Sequence, residues 1–456
     1  MKTKFTRLII LFVPILFLLL ACEKYLEEKS DKVLVTPSTL EDFQALLDDA
    51  VTMNTATPGF METCADDYFL LPATYNGLTS LQVSLYSYKP FPYEYGNDWS
   101  KSYQVVYNSN IVMERLADVP RTPANSVAWD NIKGSALFYR SYYYLLLVWQ
   151  HAKVYDETTA STDLGIVLRS GSDFNVKSVR ASVQDTYDRI MEDTKAAALL
   201  LSEHPVHVMR PSRAAAYGLL ARTYLSMSIP DSANKYANLA LGIKNSLMDY
   251  NGDPDLNGSV TASIPFRKFN KETVFYSEMY SSFGLHHPAR GRIDTSLYTS
   301  YDDGDLRKTA FFRPNSGYHQ FKGSYAASPS ILFSGIAVDE LYLIRAESSA
   351  RLGNLSTAMD DLNTLLRTRW NSDSEYQELV AESDGDALAI ILLERRKSLL
   401  MRGLRWIDIK RLNREGAGII PTRIVNGETF SLQPNSSLYA LPLPDDIIRL
   451  TGIEQN

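Results

Sequence analysis

The sequence predicts a mostly α-helical protein: a body of paired antiparallel helices with an irregular face of loops and short strands. Three observations predict it. Apolar residues recur at three- and four-residue spacing through several long segments. One helix-pair pattern occurs twice, in "AYGLLARTYLSMSIPDSANKYANLAL" and "LYLIRAESSARLGNLSTAMDDLNTLL". Two stretches, about 51–97 and about 245–337, lack helical period and are rich in Pro, Gly, Ser and aromatic residues.

The chain opens with Lys2, Lys4 and Arg7, then an apolar run from Leu8 to Leu20 that stops at Ala21 and Cys22. A basic start, a short apolar core and a small residue at the cut make a secretory signal over 1–21. The run is short for a spanning helix, which needs roughly 20 apolar residues. The "LLAC" ending resembles a bacterial lipobox, which implies cleavage before Cys22 and its lipidation; the alternative is an ordinary signal with a coincidental Cys. Residues 22–37 are charged and read as a lipid-anchored tether. Residues 38–456 then read as a single domain.

In that domain, "TPSTLEDFQALLDDA" gives a first helix, with Ser38 and Glu41 at capping-box spacing. The stretch 51–97 predicts loops with one or two short strands. Periodicity returns in "WSKSYQVVYNSNIVMERLADV", then in "SVAWDNIKGSALFYRSYYYLLLVWQ", then in "SVQDTYDRIMEDTKAAALLLSE", opened by Ser182. In the repeat, Ala221 aligns with Ala346, Ala233 with Ala358 and Ala240 with Leu365. Small residues at these points let antiparallel helices approach closely. The spacing resembles the tetratricopeptide repeat, with Ala221, Tyr224, Ala233 and Ala240 at its key positions; the second copy departs at Ser349 and Leu365. The segment 245–337 is too long for a structureless connection and predicts an inserted subdomain that carries function. The stretch "LERRKSLLMRGLRWIDIKRL" predicts one charged helix with an apolar stripe. Its interleaved charges at i, i+3 and i+4 favour internal ion pairs over nucleic-acid contact.

Composition narrows the function. Of 456 residues, 45% are hydrophobic, enough for a large core, and the formal charge is -7. Removing Lys2, Lys4 and Arg7 gives -7 - 3 = -10 for the mature chain, which argues against nucleic-acid binding. Only Cys22 and Cys64 are present, so with Cys22 lipidated no disulfide holds the fold. The sequence contains no phosphate loop, GxSxG elbow or HExxH pair, and no cofactor is expected. Asp66 with Asp67, and Asp302, Asp303 with Asp305, are adjacent acids. They suit turns and caps better than a glycosidase pair across a cleft. "DPDLNGSVTASI" places Asp253, Asp255 and Asn257 like the start of a calcium loop, but Ile264 stands at the twelfth position, so a solvated turn is the better reading. The aromatic-rich stretch with Tyr68, Phe69, Tyr93, Tyr95 and Trp99 offers ring faces for sugar C–H groups, with Asn and Asp interleaved. The alternative is that these rings plug the helical body.

The order of the lipobox Cys, "DWSKSYQVVYNSN", "GSALFYRSYYYLLLVW", "YDRIMEDTKAAALLL", the repeat at Ala221, "ERRKSLLMRGLRWIDIKR" and "YALPLPDDIIRL" resembles the SusD/RagB family of outer-membrane nutrient-binding lipoproteins. Arg402 stands where that family usually carries an acidic residue. The resemblance implies a body of four tetratricopeptide-like units, a surface-exposed location on the outer membrane and a SusC-type TonB-dependent transporter as partner. It implies a non-catalytic protein that binds an oligosaccharide or glycan, or a peptide. A repeat scaffold without a ligand is the alternative, and a surface glycoside hydrolase a distant third. The family's ligand residues vary and none transfers by motif. The expected ligand face is Tyr93, Tyr95, Asn97 and Trp99, joined by Tyr301, Tyr318 and Tyr325 from the insertion.

Overall fold

The periodic segments fold as helices whose ends follow local capping chemistry. The structure, a computed structural model, describes residues 37–456 other than 95–96 and 281–283. The signal, the lipidation site Cys22, the tether to Thr36 and Tyr95 lie outside the described residues. Helix α1 (Leu40–Leu47) buries Phe43 and Leu47. Helix α2 (Asp98–Leu116) starts at Asn97, whose side chain accepts the Ser100 N–H while the Ser100 hydroxyl accepts the Asn97 N–H. Helix α3 (Ser126–His151) is buried at every residue from Gly134 onward, as expected of a helix apolar all round. Helix α4 (Val183–Leu200) is capped by Ser182, which accepts the Asp185 N–H. Helices α2, α3 and α4 pack side by side.

The repeat is realised as two hairpins, α5 (Arg213–Ser226) with α6 (Pro230–Ile243), and α7 (Val338–Arg351) with α8 (Leu355–Arg367). Ala221, Ala233, Ala240, Ala346, Ala358 and Leu365 are all fully buried, and α6 also packs on α7, so the hairpins stack. Leu40–Asn456 form one compact unit.

The charged motif departs from the expected single helix. It forms α9 (Asp384–Ser398) and α10 (Arg405–Arg414), separated by a turn in which Met401 and Gly403 take φ of +60° and +75°. The turn is fixed from outside: the Gly403 N–H donates to Glu62 Oε2 at 2.8 Å, and Arg402 forks onto Asp339 at 2.9 and 2.8 Å. The charges pair internally, partly at helical spacing (Lys397–Glu394, Arg411–Asp408) and partly with distant acids (Arg411–Glu347, Arg396–Asp67, Arg405–Asp66).

The segment 51–97 is more structured than expected, whereas 245–337 carries the expected short strands. In 51–97 the short helices Ala50–Met53, Phe60–Cys64, Pro72–Tyr75 and Ser80–Tyr86 surround strand β1 (Tyr68–Leu70). Pro72 opens one, and a Thr79–Gln82 capping box opens another. The remaining strands are β2 (Leu164–Val167), β3 (Arg180–Ser182), β4 (Thr273–Phe275), β5 (Gly291–Ile293), β6 (Phe312–Asn315), β7 (Tyr318–Phe321), β8 (Ile336–Ala337), β9 (Thr422–Val425) and β10 (Glu428–Ser431). Each pairs antiparallel with one partner: β1–β5, β2–β3, β4–β8, β6–β7 and β9–β10.

Candidate functional site

The β1–β5 pair joins the two irregular segments. Tyr68, Phe69 and Leu70 stand opposite Ile293, Arg292 and Gly291. The junction continues through the Tyr280 N–H, which donates to the Thr57 carbonyl, and the Asp294 N–H, which donates to the Asp67 carbonyl. Hairpin β6–β7 packs beside β5. Its two-residue turn, Ser316–Gly317, has positive φ at both positions (54° and 80°), which twists in the sense the strands require. The turn holds Tyr318 at the surface, 38% exposed, edge-on to half-buried Phe69 with ring centroids 5.1 Å apart.

Side chains alternate along a strand, so Tyr318 shares its side of the hairpin with Gln320, Asn315 and Arg313. Arg292, register partner of Phe69, donates from Nη1 to the Ala289, Arg290 and Gly291 carbonyls, while its Nε–H has no partner. On the opposite side, His319 stacks on Tyr298 at 3.6 Å. Burial, then the nearby Lys308, lowers the His319 pKa, which favours the neutral ring. The hairpin thus presents the Tyr318 ring for C–H contact, with partly exposed Asn315 and Arg313 on the same side, while Arg292 is 6% exposed.

A second aromatic site lies between α2 and the segment 167–178, a cleft of about 260 Å³ lined by Trp99, Tyr103, Tyr107, Val167, Arg169 and Phe174 among others. Phe174 is 78% exposed and stacks on Tyr107 at 4.9 Å. Its polar groups are largely committed: the Tyr103 hydroxyl donates to the Val167 carbonyl and the Asn110 amide to the Arg169 carbonyl.

The expected site residues do not converge on one surface. Tyr318 is at the surface and Trp99 lines the cleft, packed between Tyr103 and His151. Tyr93 is buried, its hydroxyl donating to the Pro442 carbonyl at 2.9 Å. Tyr301 is buried and donates to the Lys397 carbonyl at 2.7 Å. Tyr325 is buried beneath Arg402 and donates to Glu272 Oε2 at 2.8 Å. Asn97 is the buried cap of α2. These four hold the fold, because an irregular segment needs its own core and a buried phenol must find an acceptor. Phe69, noted in sequence among the aromatics, gains its place through the β1–β5 pairing. Arg292 and Phe174 carried no local signal.

The remaining chemical candidates are structural. Asp66 takes both arms of Arg405 at 2.7 and 2.9 Å, and Asp67 takes Arg396 at 2.8 Å. Asp305 caps the short helix Leu306–Phe311 and binds Arg307. Asp253 pairs with Lys271 at 2.7 Å, Asp255 accepts the Lys271 N–H, and the Asn257 amide donates to the Ile264 and Phe266 carbonyls, so the calcium-like loop is a self-bonded turn. Buried His286 shares a hydrogen bond with the Thr63 hydroxyl, and burial holds its pKa at about 3, leaving it neutral. Cys64 is buried, and burial pushes its thiol up to about 12.

Two family profiles match the chain, one described as starch-binding and associating with the outer membrane over residues 24–225, the other as the SusD family over residues 244–449. The chain belongs to the SusD/RagB family. Solved structures of similar fold include a SusD superfamily protein from Bacteroides vulgatus (TM-score 0.72, 19% identity, 92% of this chain and 98% of that one). A SusD superfamily protein from Bacteroides thetaiotaomicron is similar to the same degree (TM-score 0.72, 19% identity, 92% and 99% coverage). A SusD-like carbohydrate binding protein from Bacteroides vulgatus matches at TM-score 0.66 and 20% identity, over 91% of this chain and 97% of that one. The chain has no significant match among curated proteins. Among the described residues of this SusD/RagB chain, no helix is long and apolar enough to cross a membrane.

Proposed function

We propose that this SusD/RagB protein is a non-catalytic lipoprotein of the cell surface that captures a glycan and passes it to a SusC-type TonB-dependent transporter of the outer membrane. The observation that carries the reading is the face built by β1–β5 and the β6–β7 hairpin, where exposed Tyr318 meets half-buried Phe69, with Asn315 and Arg313 on the same side of the hairpin. Rings stack on sugar C–H surfaces while side-chain donors meet hydroxyls, and a shallow face admits a polymer. The acids beside β1 and β5 are engaged, Asp66 and Asp67 by arginines and Asp294 as the cap of the helix Thr295–Thr299, which supports capture without cleavage. The "LLAC" sequence supports anchoring through Cys22, and the family's outer-membrane association supports the location. A lipid-held body with no spanning helix among its described residues fits a separate pore, the role assigned to the transporter.

A glycan array probed with the mature chain tests capture, with chromatography of the bound sugar as the check on turnover. The expected result is selective binding with no shortened product. Product formation would replace capture by hydrolysis, and binding of peptides alone would redirect the ligand class. Mild detergent extraction through a tag after Asn456 is expected to bring down a barrel-sized membrane protein. Its absence would leave a free-standing binder.

A further inference from the structure

Beneath the segment 435–440, away from the aromatic face, lies a cavity of about 370 Å³, within the size range of small-molecule sites. Its walls come from the segment 153–163 that follows α3, from α10, and from 435–440. Lys410 lines it and is 3% exposed. An ammonium has three donors. Two are used, on the Trp149 and Ala152 carbonyls at 2.7 Å each, where they close the C-terminal end of α3. Among the described residues Lys410 forms no ion pair. Arg414 lines the same cavity; its Nε–H is buried without a partner, and its nearest carboxylate is Asp156 at 3.9 Å.

The acids on the wall are spoken for. Asp156 accepts the N–H and the hydroxyl of Thr158, and Asp163 takes Lys153 at 2.6 Å and the Thr159 hydroxyl. Counting Lys153, Lys410 and Arg414 against Asp156 and Asp163 leaves the lining at 3 - 2 = +1, in a chain whose formal charge is -7. Ser436 and Ser437 add hydroxyls at the rim. A buried ammonium without a counter-charge is costly, and burial pushes Lys410 down to about 7. The helix end offers it only partial negative charge.

We propose that this cavity binds a carboxylate-bearing ligand of sugar size, with the carboxylate accepting from Lys410 and the Arg414 Nε–H and the remaining oxygens meeting the serines. The site is independent of the Tyr318–Phe69 face. The same oxyanion chemistry could come from an acidic sugar or from a small free anion. Titration of the intact chain with glucuronate, glucose, acetate and inorganic phosphate separates the sources.

Glucuronate is expected to bind and glucose not. Arg414→Gln, half at the surface and outside the buried ion-pair network, is expected to weaken glucuronate at least tenfold with unchanged thermal stability. Lys410→Met is expected to abolish binding, with Arg414→Gln keeping the test valid if that variant fails to fold. Acetate or phosphate binding as tightly as glucuronate, and lost in Arg414→Gln, upholds the oxyanion site with a free anion as its source. The proposal is overturned if no anion binds, if glucose binds as well as glucuronate, or if neither variant changes the affinity.

Discussion

Glu62 lies on the buried helix Phe60–Cys64 with Oε2 on the Gly403 N–H and Oε1 without a partner. Burial, reinforced by the nearby Asp67, raises its pKa to about 8. The unfolded chain releases this proton near its ordinary 4.5. Between those values the folded state holds more protons than the unfolded one, so stability falls as pH rises and levels off above 8. Glu62→Gln removes that slope. Against the parent, the variant should gain on the order of 5 kcal/mol between pH 4.5 and pH 8 in urea titrations; parallel profiles would show that folding does not raise the Glu62 pKa. Arg402 shows what sequence can and cannot say at this scale. Its departure from the family pattern was visible, but its partner Asp339 is 63 residues away and no local spacing points to it. The same holds for Asp66 and Asp67, which read in sequence as turn or cap residues and instead anchor α10 and α9 through Arg405 and Arg396.

Elements governed by local rules were legible. The bounds of α2, α3 and α4 follow caps at Asn97 and Ser182 and the helical period, both short-range signals. The repeat was legible because close packing demands small residues at fixed positions. Ala221 and Ala346 have no room to grow, so Ala221→Trp and Ala346→Trp should each lower stability by about 1–3 kcal/mol or more through overpacking. Equal urea midpoints for both variants and the parent would remove them from the helix crossings. The α9–α10 break was not legible. The run "SLLMRGLRW" keeps an apolar period, and the turn in which Met401 and Gly403 take left-handed backbone is held by distant contacts with Glu62 and Asp339. The short helices of 51–97 escaped for a related reason: one or two turns give periodicity too few repeats to register.

At the scale of the molecule, the proposed ligand face depends on a pairing that spans the sequence. Strand β1 meets β5 across more than two hundred residues, and this makes one face from two segments. Composition marked both segments as aromatic and irregular, so the existence of a second face was legible. The division of its rings into core and surface was not, because Tyr93, Tyr301 and Tyr325 differ from Tyr318 only in what the rest of the chain brings to their hydroxyls. The measurement that bears most directly on the account is calorimetric titration of the glycan selected by the array into two pairs of variants. Phe69→Ala and Tyr318→Ala remove the proposed face, whereas Tyr107→Ala and Phe174→Ala remove the Trp99 cleft. The account predicts at least a tenfold loss of affinity in the first pair, about 1.4 kcal/mol, with unchanged melting temperature and no change in the second pair. Undiminished affinity in the first pair, with loss in the second, would contradict it and move the site to the cleft.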